Sequence, residues 1–232
     1  MILVIEGIDG CGKTSVVEGV SQKLAVLQDQ LRVCEMAFPN RESPTGRVID
    51  GYLRDLEHFK GMDAYVHQAL QVVNRLEVYK ELNRRDYLNV LSRYTPSGIV
   101  YGLEDDLPRE WLNRVTEALP VPDLCVLLVT DPVVAHARVM CDRGATSDQY
   151  ERRGVDWFTR VARRYDELWA EADRNDIVLP TTWARVTTAG KTLDQLAEQI
   201  AKGFLSMFNC PCGKIHNDRL TACHEGEDDD EE

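Results

Sequence analysis

Short apolar runs alternate with longer amphipathic stretches along most of the chain. The runs at 2–5, 32–37, 87–91 and 123–129 have the length of a buried strand, and a weaker one covers 184–188. Between them, apolar residues recur at three- and four-residue steps, as in Val16, Val17, Val20 and Leu24. This spacing predicts helices over 14–27, 64–82, 109–119, 132–142, 155–172 and 193–208, the last with Leu193, Leu196, Ile200 and Phe204 on one face. Strands alternating with helices imply parallel pairing through right-handed crossovers. The expected fold is therefore α/β, a doubly wound parallel five-stranded sheet flanked by helices. Ligands of such sheets bind past the carboxyl ends of the strands, so the chemistry is sought there.

The first strand runs into Gly7-Ile8-Asp9-Gly10-Cys11-Gly12-Lys13-Thr14, a G-x-x-x-x-G-K-T sequence, and a helical pattern follows at once. Backbone N–H groups of such a turn encircle phosphate oxygens, and the helix behind it aims its positive end at the anion. In this reading Lys13 reaches the β/γ-phosphates of ATP and the Thr14 hydroxyl takes Mg²⁺.

Composition narrows the picture. The 232 residues suffice for one α/β domain with a small appendage, and 44% hydrophobic residues can fill its core. No apolar stretch is long enough to span a membrane, and a strand from residue 2 leaves no room for a signal peptide. A cytoplasmic protein is expected. The net charge of −12 is concentrated at one end. Residues 225–232 hold seven acids and no base, leaving 32 acids against 27 bases elsewhere. That run reads as a solvated acidic tail, and the remainder offers no basic surface for nucleic acid. Cys11, Cys34, Cys125 and Cys141 read as packing residues. Cys210, Cys212, His216, Cys223 and His224 form a separate cluster over 209–224. Its soft ligands suit a structural Zn²⁺ in a small knuckle; the alternative is a reduced tail with incidental cysteines.

Further polar segments follow the other strands: Phe38-Pro39-Asn40-Arg41, then Gly46-Arg47-Val48-Ile49 and Tyr52-Leu53; Asn74-Arg75-Leu76-Glu77 on a helix; Ser92-Arg93-Tyr94-Thr95-Pro96-Ser97-Gly98; Pro122-Asp123-Leu124; Arg143-Gly144 and Tyr150-Glu151. In order and spacing, from residue 1 to about 205, these resemble the thymidylate (dTMP) kinase family, whose pattern includes F-P-[DE]-R, N-R-x-E, D-R-Y-x-x-S-G, P-D-L and R-G…Y-E. Phosphoryl transfer between two phosphates gathers several anionic groups, and Arg41, Arg75 and Arg93 supply cations from three segments.

The resemblance implies a deoxynucleoside monophosphate kinase domain over 1–208, using ATP and Mg²⁺ to convert dTMP to dTDP. It implies that Arg41 and Arg75 hold the acceptor's monophosphate and that Arg93 lies near the transferred group. Asp9 would accept a hydrogen bond from the acceptor sugar's 3′-hydroxyl. Phe38, Ser97, Gly98 and Tyr101 would line the acceptor pocket, and residues 143–154 would form a mobile lid that excludes water. It also implies a homodimer.

Three positions depart from that pattern. Ser92 stands where the family has an Asp that helps organise Mg²⁺; this neutral substitute implies either weaker metal binding or compensation by Glu6 or Asp9. Gln71 stands where an aromatic ring stacks on the base, which opens the acceptor to a 5-modified deoxyuridylate or another deoxynucleotide or deoxynucleoside. A catalytic arginine is expected either in the loop, where Gly10 stands, or in the lid, where Gln149 stands. Arg143, Arg152 and Arg153 remain as candidates, with Arg143 best aligned and Arg153 next. A catalytically inactive nucleotide-binding regulatory protein is the reading from another class.

Overall fold

Every residue of the first apolar run, β1 (Ile2–Glu6), is buried. In the computed structural model, which describes residues 1–27, 32–84, 86–173 and 182–207, four more strands join it: β2 (Arg32–Ala37), β3 (Tyr87–Ser92), β4 (Leu124–Val129) and β5 (Trp183–Thr187). Their order across the sheet is β2-β3-β1-β4-β5 and every pairing is parallel. β1 is enclosed on both sides, with Leu3 opposite Val90 of β3 and Leu124 of β4.

The described helices are α1 (Lys13–Leu27), α2 (Pro44–Leu53), α3 (Ala64–Leu76), α4 (Tyr79–Leu82), α5 (Thr95–Glu104), α6 (Arg109–Thr116), α7 (Pro132–Asp142), α8 (Val155–Asp173) and α9 (Leu193–Ser206). Successive side chains of a strand point to opposite faces. Leu3 and Ile5 accordingly enter the larger apolar core, while Ile2 and Val4 enter a smaller one with Phe38, Leu91 and Tyr94. α1 buries Val16, Val17, Val20 and Leu24 and packs on α9, which contributes Leu196, Ile200 and Phe204. Full burial of each such side chain stabilises the fold by about 1.5–3 kcal/mol. Leu193, expected on the same face, is 46% exposed: it lies at the first turn of α9, at the edge of that contact beside Gly19. Cys11 and Cys125 are buried as expected of packing residues, whereas Cys141 is exposed.

Three local outcomes differ from the periodicity. The stretch 64–82 forms two helices, α3 and α4, broken where Glu77 turns its carboxylate to the Thr45 hydroxyl at 2.7 Å. α2 is a helix that apolar spacing did not predict, yet its start carries a cap signal: Ser43 accepts the Gly46 N–H and Pro44 occupies the first turn. α5 has no side-chain cap from its own neighbourhood. Its cap comes from another strand.

Candidate active site

The loop 7–12 leaves the carboxyl end of β1 and delivers the chain into α1. Lys13 is buried, and its ammonium donates to the carbonyls of Gly7 (2.9 Å) and Ile8 (2.8 Å). Burial, and then the Arg93 charge, lower its pKa. Gly10 has φ +74, and a Cβ there would lie 2.2 Å from the Ala135 carbonyl oxygen of α7. The turn at that point therefore has no space for a side chain. Asp9, Gly10, Gly12, Lys13 and Thr14 line a cleft of about 780 Å³, whereas Ile8 and Cys11 point into the core.

β3 ends beside this loop. Arg93 has φ +65, an uncommon conformation for a residue with a side chain, fixed by its N–H on the Ile5 carbonyl at 3.0 Å. The kink turns its guanidinium back to form an ion pair with the Asp9 carboxylate. Tyr101 Oη donates to the other Asp9 oxygen at 2.9 Å. Burial would raise the Asp9 carboxyl, but Arg93, Lys13 and the Tyr101 hydroxyl hold it well below the usual carboxylate range. Glu6, fully buried at the end of β1, accepts the N–H groups of Tyr94 (2.7 Å) and Ser97 (3.2 Å) and the hydroxyls of Ser97 (2.6 Å) and Tyr165 (3.0 Å). The first two are orphan donors at the head of α5, so a carboxylate from the central strand caps that helix.

Opposite, the loop after β2 is held by α3. Buried Asn74 accepts the Asn40 N–H at 2.7 Å and donates to Ser43 Oγ at 2.8 Å. Gly46 lets the first turn of α2 close on this loop, since a Cβ there would lie 1.7 Å from the Asn40 carbonyl oxygen. Arg41 stands partly exposed at the rim, paired with Asp50 at 3.2 Å. Arg75 is buried beside the adjoining rings of Phe38 and Tyr94, donates to the Tyr94 carbonyl at 2.8 Å and to the Gln71 carbonyl, and leaves Nε unpartnered. Burial lowers its pKa to about 10, so it remains a cation at neutral pH.

Gln71 faces the cleft, its Nε2 3.2 Å from the Nε2 of His67, whose ring packs at a tilt against that of Tyr52 with centres 4.3 Å apart. Burial, reinforced by Arg75, lowers the His67 pKa to about 4, which keeps it neutral. On the lid side, burial and then the Asp9 charge raise the Asp148 carboxyl to about 6. Arg143 lines the cleft and pairs with buried Glu151. Arg153 lies elsewhere: its guanidinium covers the Tyr150 and Trp157 rings at 4.6 and 4.3 Å and faces Asp105 at 3.8 Å. Arg152 donates to the Ser147 carbonyl at 2.7 Å, and Gln149 to the Tyr52 carbonyl at 2.9 Å.

Of the residues that sequence reasoning singled out, the cleft brings together Asp9, Gly10, Gly12, Lys13, Thr14, Phe38, Arg41, Gln71, Arg75, Arg93, Ser97, Gly98, Tyr101 and Arg143. Gly7, Ile8, Cys11 and Arg153 do not line it. His67, Asp148 and Arg138 line it without having been singled out. Glu6 and Asp9, the suggested substitutes for an aspartate at Ser92, are already engaged by donors. Among the described residues no group of His, Cys, Asp and Glu is arranged to hold a metal. Cys210, Cys212, His216, Cys223 and His224 lie outside the described residues, as does the acidic tail.

A phosphate-binding loop at the end of the central parallel strand, with cations from several segments around one cleft, defines a P-loop nucleotide phosphotransferase. The thymidylate kinase family model matches residues 5–184. The thymidylate kinase of Schizosaccharomyces pombe is 31% identical over 175 residues, 73% of this chain and 77% of its own length. That of Danio rerio is 29% identical over 86% of this chain and 87% of its own. Among solved structures, a thymidylate kinase from Candida albicans superposes with a TM-score of 0.66 at 22% identity, covering 89% of this chain and 91% of its own. The chain belongs to the thymidylate kinase family.

Proposed function

We propose that this chain transfers the γ-phosphoryl group of ATP to the 5′-phosphate of dTMP, giving dTDP and ADP. The observation that carries the reading is that Lys13, Arg41, Arg75, Arg93 and Arg143, from five separate segments, all line the cleft that begins at the phosphate loop. Direct transfer between two phosphates needs positioning and charge stabilisation more than covalent help from the protein. Guanidinium groups supply both, since their fork meets phosphate oxygens bidentately and stays charged. Relatives named thymidylate kinase support the choice of acceptor.

Arg41 and Arg75 then hold the acceptor's monophosphate, and Arg93 faces the group in transfer. Asp9, kept ionised by Arg93 and Tyr101, accepts a hydrogen bond from the sugar 3′-hydroxyl, and the Tyr101 ring lies beside the sugar. The Thr14 hydroxyl, in the first turn of α1, suits an Mg²⁺ that arrives with the phosphates of ATP; Ser92 adds a neutral oxygen. Bound there, Mg²⁺ would offset phosphate charge. Residues 1–208 form the kinase domain and 143–154 its lid, in a cytoplasmic enzyme. No described helix is long and apolar enough to cross a membrane. A homodimer is supported by the outer side of α3, where Val66, Val73 and Leu76 are 50%, 43% and 37% exposed.

One observation favours a second acceptor. Gln71 and His67 put an amide and an imidazole where a stacking ring would suit thymine, and such groups can hydrogen-bond a hydroxylated 5-substituent. The deciding assay follows ADP release with dTMP, dUMP, 5-hydroxymethyl-dUMP, dGMP and thymidine. We expect dTMP to be turned over and thymidine not. A higher kcat/KM for 5-hydroxymethyl-dUMP would select the second reading. ATP binding without ADP release for any monophosphate would leave only a regulatory role.

A further inference from the structure

We propose that Gln149 is a positioning residue for the acceptor end of the cleft, clasping the lid to the last turn of α2. The inference rests on the phosphotransfer reading above and deepens it, since the lid of this chain is fastened on the acceptor side by a neutral amide.

The first support is the pair of bonds that Gln149 makes. Its backbone N–H donates to the Leu53 carbonyl at 2.9 Å, and its side-chain amide donates to the Tyr52 carbonyl, also at 2.9 Å. The last carbonyls of a helix have no partner within it, so they accept from whatever packs against that end. The Tyr52 carbonyl also takes the Asp55 N–H at 2.9 Å, and its second lone pair is left for the amide. Among the described residues no other hydrogen bond or ion pair joins α2 to the lid. Beside the clasp the two sides stand apart across a hollow of about 390 Å³, with Asp50 and Arg54 facing Arg143, Thr146 and Glu151.

The second support is what the clasp carries. Asp148 and Tyr150, its neighbours in the chain, both line the cleft, as does Leu53, whereas Gln149 does not. Asp148 accepts the Tyr150 and Glu151 N–H groups, each at 2.9 Å, which makes this part of the lid one compact turn. The bonds of Arg143 to Glu151 and of Arg152 to Ser147 are also internal; they shape the lid without holding it to the body. The body is gripped by Gln149 at α2 and, behind it, by the Tyr150 hydroxyl on Asp105 at 2.5 Å. Tyr52 in turn packs against His67, which meets Gln71, so the clasp reaches the wall of the acceptor pocket. A glutamine engaged outside the cleft brings no charge to phosphate, so position 149 acts here through the geometry of its neighbours.

The test compares Q149M, which keeps the length of the side chain but has no N–H to donate, and Q149E with the wild-type chain. Q199M, altered at an exposed glutamine of α9, is the control. A lid docked only part of the time lowers apparent affinity by the docked fraction, and saturating acceptor docks it again. For Q149M we therefore expect dTMP binding by calorimetry, and KM for dTMP, to weaken about fivefold, with kcat, ATP affinity and melting temperature unchanged. Q149E, which sets a carboxylate against two carbonyl oxygens, should weaken dTMP binding further. Trypsin should cut after Arg143, Arg152 or Arg153 faster in unliganded Q149M than in wild type, and equally slowly in both at saturating dTMP. Q199M should match wild type throughout. The proposal is overturned if Q149M keeps wild-type dTMP affinity and cleavage rates. A fall in kcat with KM unchanged would mark a contact with the reacting phosphates instead, and a joint loss of dTMP binding, ATP binding and melting temperature a purely structural role; either overturns it. Should the wild-type chain turn over none of the monophosphates, the kinase reading fails by itself, and the unliganded cleavage rates still decide whether the clasp holds the lid.

Discussion

His67 and Asp148 line the same cleft and are driven from their ordinary ranges in opposite senses. His67 has its pKa lowered from 6.5 to about 4. As pH falls below 6.5 the unfolded chain takes up that proton before the folded one does, so stability is lost down to about pH 4. Asp148 has its pKa raised from 3.8 to about 6. There the folded chain holds the proton longer, so stability is lost as pH rises from 3.8 to 6. Each effect is worth up to about 3 kcal/mol, and over pH 4–6 they oppose each other. Wild-type stability should therefore change little across this window. Urea denaturation of H67F should show a variant relatively more stable at pH 4 than at pH 7, and D148N the reverse. Equal pH dependence in all three proteins would refute the assignment. Neither residue stands out in the sequence, because each is perturbed by neighbours distant in the chain. Lys13 was legible because the loop chemistry needs a lysine at that fixed spacing, and Asp9 and Arg93 because the segments that carry them resemble the family pattern. Arg138, whose Nη1 donates to the Gly10 carbonyl at 3.3 Å, was invisible because that contact exists only once α7 has packed.

At the scale of elements, the tie between β1 and α5 is the junction on which the acceptor side of the cleft depends. Glu6 takes two N–H groups at the head of α5 and two hydroxyls. E6A leaves the two buried N–H groups without an acceptor and should cost about 2–5 kcal/mol in chemical denaturation. E6Q, which keeps one carbonyl oxygen, should cost less and reduce turnover by disturbing Arg93 and Ser97. An E6A protein as stable as wild type would remove Glu6 from this role. The strands and the long amphipathic helices could be read from apolar spacing because each presents one face to a single core. α5 could not, since it is buried on more than one side and its cap comes from a residue nearly ninety positions away. α2 was hidden by its brevity, although Ser43 and Pro44 marked its start.

At the scale of the whole molecule, every described residue that lines the cleft lies before residue 151. A chain ending at Met207 should thus keep kcat and KM within about twofold of the full chain if the cysteine–histidine segment is an accessory. Loss of all turnover would tie that segment to catalysis. Sedimentation of the full chain should report a dimer, and V73E should shift it toward monomer by placing a charge on the exposed side of α3; a monomeric wild type would contradict the proposed assembly. Resemblance across the chain made the fold and the donor end of the cleft readable, whereas the acceptor end turned on Gln71, whose consequence depends on His67 and Tyr52 beside it.

The sheet order has a bearing on biogenesis. β1, the middle strand, is the first to be synthesised, yet both of its neighbours come late: β3 is complete at Ser92 and β4 only at Val129. A ribosome must translate more than half of the chain before Ile2–Glu6 finds its two pairing partners, and such long-range closure is slow to nucleate. A buried, strongly apolar strand is thus the one left waiting longest, and it is there that a nascent chain would first need shielding from aggregation.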